Sequence, residues 1–309
     1  MNKRKPIIID CDPGTDDTIA IMMGLVCDKL DVRAITTVSG NQTIEKVSNN
    51  ALRLVSFLGK DVKVARGSIR PMQREIFLAD FVHGESGIGN TVLPETDKKF
   101  YEKNAVDTIY EEAMACDGEL EIVAIGPLTN IATLLLRYPD VKEKIKRLVI
   151  MGGAINGGND TPSAEFNIYA DPEAARIVFE AGLNLVMVGL DATHQAKLYE
   201  DEIREIEQYG EKGKIAAEIF DFVKPFYANC GFDGIIMHDP CALSYVIDES
   251  IVKTKKYHVD IETQGEITRG KTVVDIYSVS GKQCNAEVAV EVDRDKFAKL
   301  VKESIKKYN

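Results

Sequence analysis

Short apolar runs alternate with segments of helical periodicity from residue 7 to residue 188. The apolar runs are at residues 7–9, 32–38, 62–64, 120–125, 147–151 and 183–188, and the helical segments are at residues 16–27, 45–58, 104–115, 128–136 and 172–181. Strands that alternate with helices predict an α/β fold, in which an open, mostly parallel sheet carries helices on both faces. Residues 203–226 are predicted to be helical, and the alternation of β-branched residues over 259–292 predicts peripheral strands.

The size of the chain favours one globular domain. Its 309 residues are 45% hydrophobic, which is enough to bury a large core. Because no internal repeat, low-complexity tract or linker interrupts the pattern, we predict a single domain over residues 1–309.

Charge and cysteine content narrow the expected partners and compartment. A net charge of −11 without long Lys/Arg clusters argues against nucleic acid and against an anionic membrane surface as partners. No apolar run approaches the length of a membrane span, and the run after the basic N-terminus is too short for a signal peptide. The six cysteines form no CxxC pair, which indicates reduced thiols and a cytoplasmic protein.

Polar residues follow several of the predicted strands. Ligands of open parallel sheets bind outside the carboxyl ends of the strands, so these residues are the first candidates for a functional site. They lie in segments 10–17, 39–41, 126–127 and 152–167 and at Asp191. We therefore expect carboxylates, amides and glycines to meet at one edge of the sheet.

The segment Asp10-Cys-Asp-Pro-Gly-Thr-Asp-Asp17 is the strongest single signal. Its four carboxylates in eight residues repel one another unless a cation lies among them, and oxygen ligands suit Ca²⁺ or Mg²⁺. Alternatively, Asp16 and Asp17 only stabilise the N-terminus of the helix that they begin, which leaves Asp10 and Asp12 unexplained. An EF-hand is excluded because its required glycine and glutamate are absent, and zinc is disfavoured because the cluster has no histidine.

A glycine-rich loop after a later strand carries Asn159, Glu165 and Asn167. Amide and carboxylate groups together suit the recognition of sugar hydroxyls, each of which both donates and accepts a hydrogen bond. The alternative interpretation is an ordinary polar loop with asparagine in its turns.

Two Asp-Pro pairs fit the start of a helix. In both Asp171-Pro172 and His238-Asp239-Pro240, an aspartate N-cap would be followed by proline at the first helical position. For Asp171 the cap alone is the preferred interpretation, whereas His238 and Asp239 are also candidates for a catalytic site.

Residues 66–100 have no regular pattern and are rich in glycine and proline. A loop of this length inside a compact domain is typical of a functional or mobile segment. His83 lies among several of these glycines, which favours an active-site flap. A solvent-exposed loop histidine is the alternative.

Taken together, these segments resemble the inosine-uridine-preferring family of nucleoside hydrolases. The resemblance runs through most of the chain and is carried by segments 10–17, 39–41, 83–87, 126–130, 151–153, 159–167 and 238–240. It implies a Rossmann-like nucleoside hydrolase fold and the hydrolysis of the N-glycosidic bond of ribonucleosides. It also implies a Ca²⁺ cofactor and assembly into a homodimer or homotetramer.

The resemblance assigns roles to the matching positions. It implies side-chain calcium ligands at Asp12, Asp17 and Asp239, and a backbone carbonyl ligand at Ile125. It implies binding of the ribose hydroxyls by Asp16, Asn41, Asn159, Glu165 and Asn167. It further implies Asp12 as general base, His238 as candidate general acid for the departing base, His83 as a base-side contact on the flap, and Asp10 as a residue that orients the cluster.

The implied chemistry is direct displacement by water with inversion at C1′, since the motif supplies no second carboxylate as nucleophile. Two alternatives remain open from the sequence. A haloacid-dehalogenase-type phosphatase also begins with Asp-x-Asp, but Pro13 interrupts its motif here. A calcium-dependent nucleoside or sugar binding protein would need no general base.

The base preference is expected to be for pyrimidine nucleosides, inosine or both. The chain contains no tryptophan, whereas the purine-specific members of the family enclose the base between tryptophans. Phe226 and Tyr227 could line the base side of the site, although core packing explains them equally well.

Overall fold

A central eight-stranded sheet organises the computed structural model, which describes residues 4–309. The strands of these residues, in chain order, are β1 (Lys5–Cys11), β2 (Leu30–Thr37), β3 (Lys63–Arg66), β4 (Leu120–Ala124), β5 (Ile145–Met151), β6 (Leu185–Val188), β7 (Lys197–Leu198), β8 (Ile235–Ile236), β9 (Val252–Tyr257), β10 (Val259–Ile261), β11 (Thr272–Val274) and β12 (Ala286–Val292). The central sheet has the order β3-β2-β1-β4-β5-β6-β12-β9. Its strands pair in parallel except β9, which is antiparallel to β12.

Helices cover the sheet and connect its strands. They are α1 (Thr15–Val26), α2 (Ile44–Phe57), α3 (Asp80–His83), α4 (Ala105–Ala115), α5 (Thr129–Arg137), α6 (Phe166–Ala170), α7 (Pro172–Glu180), α8 (Leu190–Thr193), α9 (Glu200–Glu207), α10 (Gly210–Asn229), α11 (His238–Ile247) and α12 (Arg294–Lys306), with 3-10 helices at Pro139–Lys144 and Glu249–Ile251. The sequence prediction of an open, mostly parallel α/β sheet is confirmed. None of the helices within residues 4–309 is long and apolar enough to cross a membrane.

Two hydrophobic cores lie on the two faces of the sheet. Successive strand side chains point to opposite faces, so Ile7 and Ile9 belong to one core and Ile8 to the other. The first core also receives α1, α2 and α9–α12, whereas the second receives α4, α5 and α7. The strands β1, β4 and β6 are therefore buried on both faces over most or all of their length, which explains why they form nearly continuous apolar runs in the sequence.

Capping residues set the start of several helices. The side chain of Asn104 accepts a hydrogen bond from the backbone N–H of Asp107 at the start of α4. Asp171 accepts one from Ala174 at the start of α7, with Pro172 at the first helical position, which confirms the predicted cap. The predicted N-cap at Asp239 is wrong, because His238 is already helical and Met237 occupies the cap position. The Asp239 carboxyl is thus free of a capping role.

The C-terminal part of the chain differs from the prediction. Strand β12 is not peripheral: it pairs in parallel with β6 inside the main sheet, and the edge strand beside it is β9. Alternation of β-branched residues identifies a strand but not its place in a sheet, because that place depends on long-range pairing. The predicted helix over residues 203–226 is two helices, α9 and α10, which are separated by residues 208–209, and α10 begins at Gly210 with a φ of 72°. The strands β10 and β11 do form a peripheral hairpin.

Candidate active site

The carboxyl ends of the parallel strands open onto a cavity of about 310 Å³. The residues predicted for the site that line this cavity are Asp16, Asn41, His83, Ile125, Asn159, Glu165, Asn167, His238 and Asp239. Asp12 and Asp17 do not line it, and both are completely buried. The fold therefore brings the predicted site residues to one place, although more than 220 positions separate the first from the last.

The loop between β1 and α1 folds around the carboxylate of Asp17. Its Oδ1 accepts a hydrogen bond from the backbone N–H of Asp12 at 3.1 Å, and its Oδ2 accepts one from Gly14 at 2.9 Å. These bonds occupy amide groups at the N-terminus of α1, as the alternative interpretation of this aspartate proposed. They also fix the direction in which the carboxylate faces its neighbours.

Asn41, which follows β2, connects the two buried carboxylates. Its backbone N–H donates to Oδ2 of Asp12 at 2.7 Å. Its side-chain Nδ2 donates to Oδ2 of Asp17 at 3.0 Å and to the backbone carbonyl of Asp12 at 3.1 Å. Both hydrogens of the amide are thus used within the protein, so its carbonyl oxygen is the group that Asn41 can offer to a ligand.

Asp10 braces the same region from the end of β1. Its Oδ1 accepts hydrogen bonds from the Thr36 hydroxyl at 2.6 Å and from Nδ2 of Asn130 at 2.8 Å. Burial raises the pKa of Asp10 to about 7, and its two hydrogen bonds act in the opposite direction. Asp10 does not line the cavity, which agrees with an orienting role for this residue.

Asp16, Asp17 and Asp239 could hold a metal ion. Each offers a carboxylate oxygen, and these oxygens all lie within 4.8 Å of one another. Asp12, a predicted ligand, is outside this set, while Asp16, which was assigned to ribose binding, is inside it. Asp239 reaches the cluster from the first turn of α11, where its backbone N–H lies 3.4 Å from Oδ2 of Asp16.

The electrostatics of the cluster fit a cation. Burial, followed by the charge of Asp17, raises the pKa of Asp12 well above its ordinary value. Burial, followed by the charges of Asp16 and Asp17, does the same for Asp239, and burial with the charge of Asp16 raises the pKa of Asp17 to about 7. Oδ1 of Asp12 and Oδ2 of Asp10 are also buried without a hydrogen-bond partner among residues 4–309. A hard divalent cation would satisfy this all-oxygen set and remove the repulsion.

Asn167 lies between the ends of β4 and β5. Its Nδ2 donates to the carbonyl oxygens of Ile125 and Met151, at 3.0 Å in both cases. The Ile125 carbonyl, which was predicted to be a metal ligand, still has a second lone pair. As with Asn41, the amide hydrogens of Asn167 are used inside the protein and its carbonyl oxygen remains for a ligand.

Glu165 is the N-cap of α6 and lines the cavity. Its two carboxylate oxygens accept hydrogen bonds from the backbone N–H groups of Gly153, Asn167 and Ile168 at 2.9, 3.0 and 3.2 Å. Burial raises its pKa to about 7, and these three bonds act in the opposite direction.

Asn159 lies in the loop before α6. Its Oδ1 accepts a hydrogen bond from the N–H of Phe166 at 3.0 Å, which holds the loop against α6.

Three histidines line the cavity, and two of them, His83 and His238, are each held by a threonine. Nδ1 of His83 accepts a hydrogen bond from the backbone N–H of Thr15 at 3.2 Å and lies 2.9 Å from the Thr15 hydroxyl. His83 is therefore buried against the N-terminus of α1 rather than being a solvent-exposed loop residue. Nδ1 of His238 lies 2.8 Å from the Thr193 hydroxyl. Burial, followed by the charge of His194, lowers the pKa of His238 to about 3, so its ring is neutral at neutral pH.

Aromatic rings form a continuous group around His238. Tyr227 lies 6.3 Å from it and His194 lies 5.8 Å from it between ring centroids, and Phe232 contacts both of these rings. Phe226 and Tyr227 do line the cavity, as one of the two interpretations of these residues proposed. Sequence reasoning missed His194 and Phe232. The position of His194 shortly after β6 and next to Asp191 was the one available signal for it.

Comparisons with known proteins agree across the whole chain. The sequence model of a family described as inosine-uridine preferring nucleoside hydrolase matches residues 7–299. The pyrimidine-specific ribonucleoside hydrolase RihA of Salmonella arizonae is 44% identical over 307 residues, which are 98% of this chain and 99% of the relative. The solved structures of a plant nucleoside hydrolase and of a purine-preferring ribonucleoside hydrolase from Gardnerella vaginalis are 34% and 32% identical, each with a TM-score of 0.93. Both comparisons cover 98% of this chain and 99% of the other.

Proposed function

The chain belongs to the inosine-uridine preferring nucleoside hydrolase family and is a ribonucleoside hydrolase, and we propose that it cleaves pyrimidine ribonucleosides into ribose and the free base. The observation that carries the proposal is the composition of the cavity. A connected set of carboxylates and amides suits ribose, and a connected set of aromatic and histidine rings suits a base. The names and full-length identity of the pyrimidine-specific relatives support the choice of base, and family membership removes the phosphatase alternative.

Calcium is the proposed cofactor. Asp17 and Asp239, with Asp12 and the carbonyl of Ile125, would hold it, and the three-carboxylate set that includes Asp16 supports a cation at this position. The chemistry that a divalent cation supplies when bound is to lower the pKa of a water molecule. Oxygen ligands favour calcium or magnesium over zinc. A comparison of the effects of Ca²⁺ and Mg²⁺ on the protein therefore tests the choice of calcium.

Ribose is proposed to bind through Asp16, Asn41, Asn159, Glu165 and Asn167. The side-chain amide hydrogens of Asn41 and Asn167 are already used within the protein, so these two residues would act through their carbonyl oxygens as acceptors of hydrogen bonds from hydroxyl groups. Glu165 is rigid because three backbone N–H groups hold its carboxylate. Such preorganised acceptors can hold a sugar ring in one orientation without a further ordering cost.

Asp12 is the proposed general base. Because Asn41 holds its Oδ2, the unpartnered Oδ1 is the atom that accepts a proton from the attacking water. The water oxygen forms a bond to C1′ from the face opposite the base, the bond from C1′ to the base nitrogen breaks, and its electron pair leaves with the base. This displacement inverts C1′, so α-ribose is the expected first product.

His238 and His83 are the proposed contacts to the base. A neutral His238 can act through the N–H of an uncharged ring, either by donating a hydrogen bond to the departing base or by passing it a proton. His83 is proposed to contact the base or the sugar from the flap. For the protein as a whole, we propose one domain, a cytoplasmic location and a homodimer or homotetramer.

The decisive experiment is the release of reducing sugar from uridine, cytidine, inosine, adenosine and guanosine, with Asp12→Ala as the inactive control. We expect turnover of uridine and cytidine, slower turnover of inosine, and no turnover by the variant. Faster hydrolysis of purine nucleosides would overturn the pyrimidine assignment. Binding of nucleosides with no turnover of any of them would instead identify a binding protein.

A further inference from the structure

A buried threonine contacts one of the two ring nitrogens of His238. The Thr193 hydroxyl lies 2.8 Å from Nδ1 of His238, although the two residues are 45 positions apart in the sequence. Thr193 is fully buried at the end of α8, and His238 begins α11. Nε2 of His238 makes no hydrogen bond within residues 4–309, so it is the nitrogen left for a ligand in the cavity that His238 lines.

The direction of this hydrogen bond follows from counting donors and acceptors. Within the described part of the chain, the Thr193 hydroxyl has His238 as its one hydrogen-bond partner. If Nδ1 carried a proton and donated it, the buried hydroxyl hydrogen would have no acceptor, which is energetically unfavourable. If the hydroxyl donates to Nδ1, both the hydroxyl hydrogen and Nδ1 are satisfied, and Nε2–H is left for a ligand. The second arrangement requires an unprotonated Nδ1, and a neutral ring then carries its proton on Nε2.

We propose that Thr193 is a positioning residue that holds His238 as the Nε2–H tautomer, so that an N–H donor points into the cavity. The tautomer itself follows from the Thr193–His238 pair, whereas its use in catalysis rests on the proposed nucleoside hydrolysis. A departing base takes the electron pair of the broken bond, and an N–H donor stabilises that charge as it develops. The other tautomer would present a lone pair to the same charge and would repel it.

Neighbouring rings restrict the orientation of His238. His194 packs edge-on against it with centroids 5.8 Å apart, and Tyr227 packs against it with centroids 6.3 Å apart. The threonine therefore acts on a ring whose plane is already restricted by its neighbours. Rotation of the ring to exchange its two nitrogens would have to displace these aromatic contacts.

Another histidine of the cavity, His83, has the same arrangement. Nδ1 of His83 accepts a hydrogen bond from the backbone N–H of Thr15, a group that can only donate. A neutral His83 is therefore also an Nε2–H tautomer. His83 and His238 both line the cavity, and with these tautomers each would offer an N–H donor, which matches a base that carries carbonyl oxygens or other acceptors on its edge.

The tautomer can be measured directly by ¹⁵N NMR on protein labelled at histidine. The chain has only four histidines, His83, His194, His238 and His258, so a His238→Asn variant assigns the signals. We expect the unprotonated type of shift on Nδ1 of His238 and the protonated type on Nε2, and the same spectrum in Thr193→Ser, which keeps the hydroxyl. A protonated Nδ1 in the wild-type protein would overturn the proposal, and this measurement requires no substrate to turn over.

Kinetics test the catalytic consequence. Thr193→Val removes the donor at nearly constant shape, and loss of one hydrogen bond is expected to lower kcat for uridine by about tenfold with little change in KM. The activity of Thr193→Ser should return close to that of the wild type. With 4-nitrophenyl riboside, whose leaving group needs no protonation, the valine variant should lose much less activity. An equal loss on both substrates would indicate a structural role and would overturn the positioning role.

The two proposals fail in different ways. If His238 is the Nε2–H tautomer but the protein hydrolyses no nucleoside, the role of Thr193 in setting the tautomer stands and the proposed function is wrong. If the protein hydrolyses uridine but His238 carries its proton on Nδ1, the role of Thr193 is wrong and the proposed function stands. The spectrum and the assay therefore report on separate statements.

Discussion

The backbone N–H of Asn41 donates a hydrogen bond to Oδ2 of Asp12 over 2.7 Å, across 29 positions of sequence. This bond fixes one oxygen of the carboxylate, while Oδ1 stays buried and without a partner among the described residues. A carboxylate with one held oxygen and one free oxygen has a defined direction in which to accept a proton or a cation. The relationship joins the loop after β1 to the loop after β2, so it depends on the pairing of these two strands.

Replacing the proposed base should abolish turnover without abolishing binding. Asp12→Asn keeps the size of the side chain but removes the proton acceptor, so we expect the rate of sugar release from uridine to fall at least about a hundredfold. Binding of uridine, measured by calorimetry, should persist. Asp28→Asn is the matched control, since Asp28 is an exposed aspartate paired with Lys307, and it should keep full activity. Substantial turnover by Asp12→Asn would show that another group is the base.

A methyl group at Gly40 should disturb Asp12 directly. A Cβ at this position would lie 2.1 Å from Oδ2 of Asp12 and 2.8 Å from Cδ of Pro127, which forces the carboxylate or the loop to move. We expect Gly40→Ala to lose most of its activity in the sugar-release assay. The control is Gly182→Ala. Gly182 has a φ of +74°, and a Cβ at this position would have no atom within 4 Å of it. This variant should therefore lose about 1 kcal/mol of stability through backbone strain and keep its activity. Full activity of Gly40→Ala would contradict the role of the Asn41–Asp12 contact.

Calcium should stabilise the folded protein. A bound cation removes the repulsion among Asp16, Asp17 and Asp239, so saturating Ca²⁺ should raise the melting temperature of EDTA-treated protein by a few degrees. Asp239→Asn should lose this rise. Its melting temperature in EDTA should equal or exceed that of the wild type, because one buried repelling carboxylate is gone. Thermal melts with Ca²⁺, Mg²⁺ and EDTA measure both effects, and an absent calcium response in the wild type would count against the cation site.

The pH dependence of stability should change in Glu165→Gln. Burial raises the pKa of Glu165 from 4.5 to about 7 in the folded protein, so this side chain contributes stability at low pH that is lost as the pH rises from 4.5 to about 7. The variant lacks this titration, and its stability relative to the wild type should rise by about 3 kcal/mol over that range. Urea unfolding at pH 5 and pH 8 measures the difference. A constant difference between the two proteins would show that Glu165 does not titrate in this range.

Asp171 should matter for stability more than for catalysis. Its carboxylate caps α7 and also accepts hydrogen bonds from the Thr129 hydroxyl at 2.7 Å and from the N–H of Met72 at 2.9 Å. We expect Asp171→Ala to cost about 2–3 kcal/mol in urea unfolding, since it leaves buried donors unpaired. Asp293→Ala, which removes the more exposed cap of α12, should cost about 1 kcal/mol. Similar costs for both variants would mean that the Thr129 and Met72 contacts add nothing.

The sheet could be predicted where its strands are local apolar runs between helices. Strands β1 to β6 follow this pattern, because the residues that the sheet buries between its two helical layers are mostly apolar. The place of β12 could not be predicted in this way. It lies beside β6, about a hundred residues earlier in the chain, and a pairing over such a distance leaves no periodic signal in either segment.

The sequence by itself determined the parts of the site that one segment carries, above all the aspartates of residues 10–17 and the polar loop that includes Asn159, Glu165 and Asn167. Their type and spacing are sufficient because a short loop holds its own members together. Only the tertiary structure decided which groups meet from different loops. It placed Asp239 beside Asp16, set Thr193 against His238, and added His194 and Phe232 to the cavity wall. The physical reason is that contacts between distant segments depend on strand order and helix packing, which no short stretch of sequence encodes.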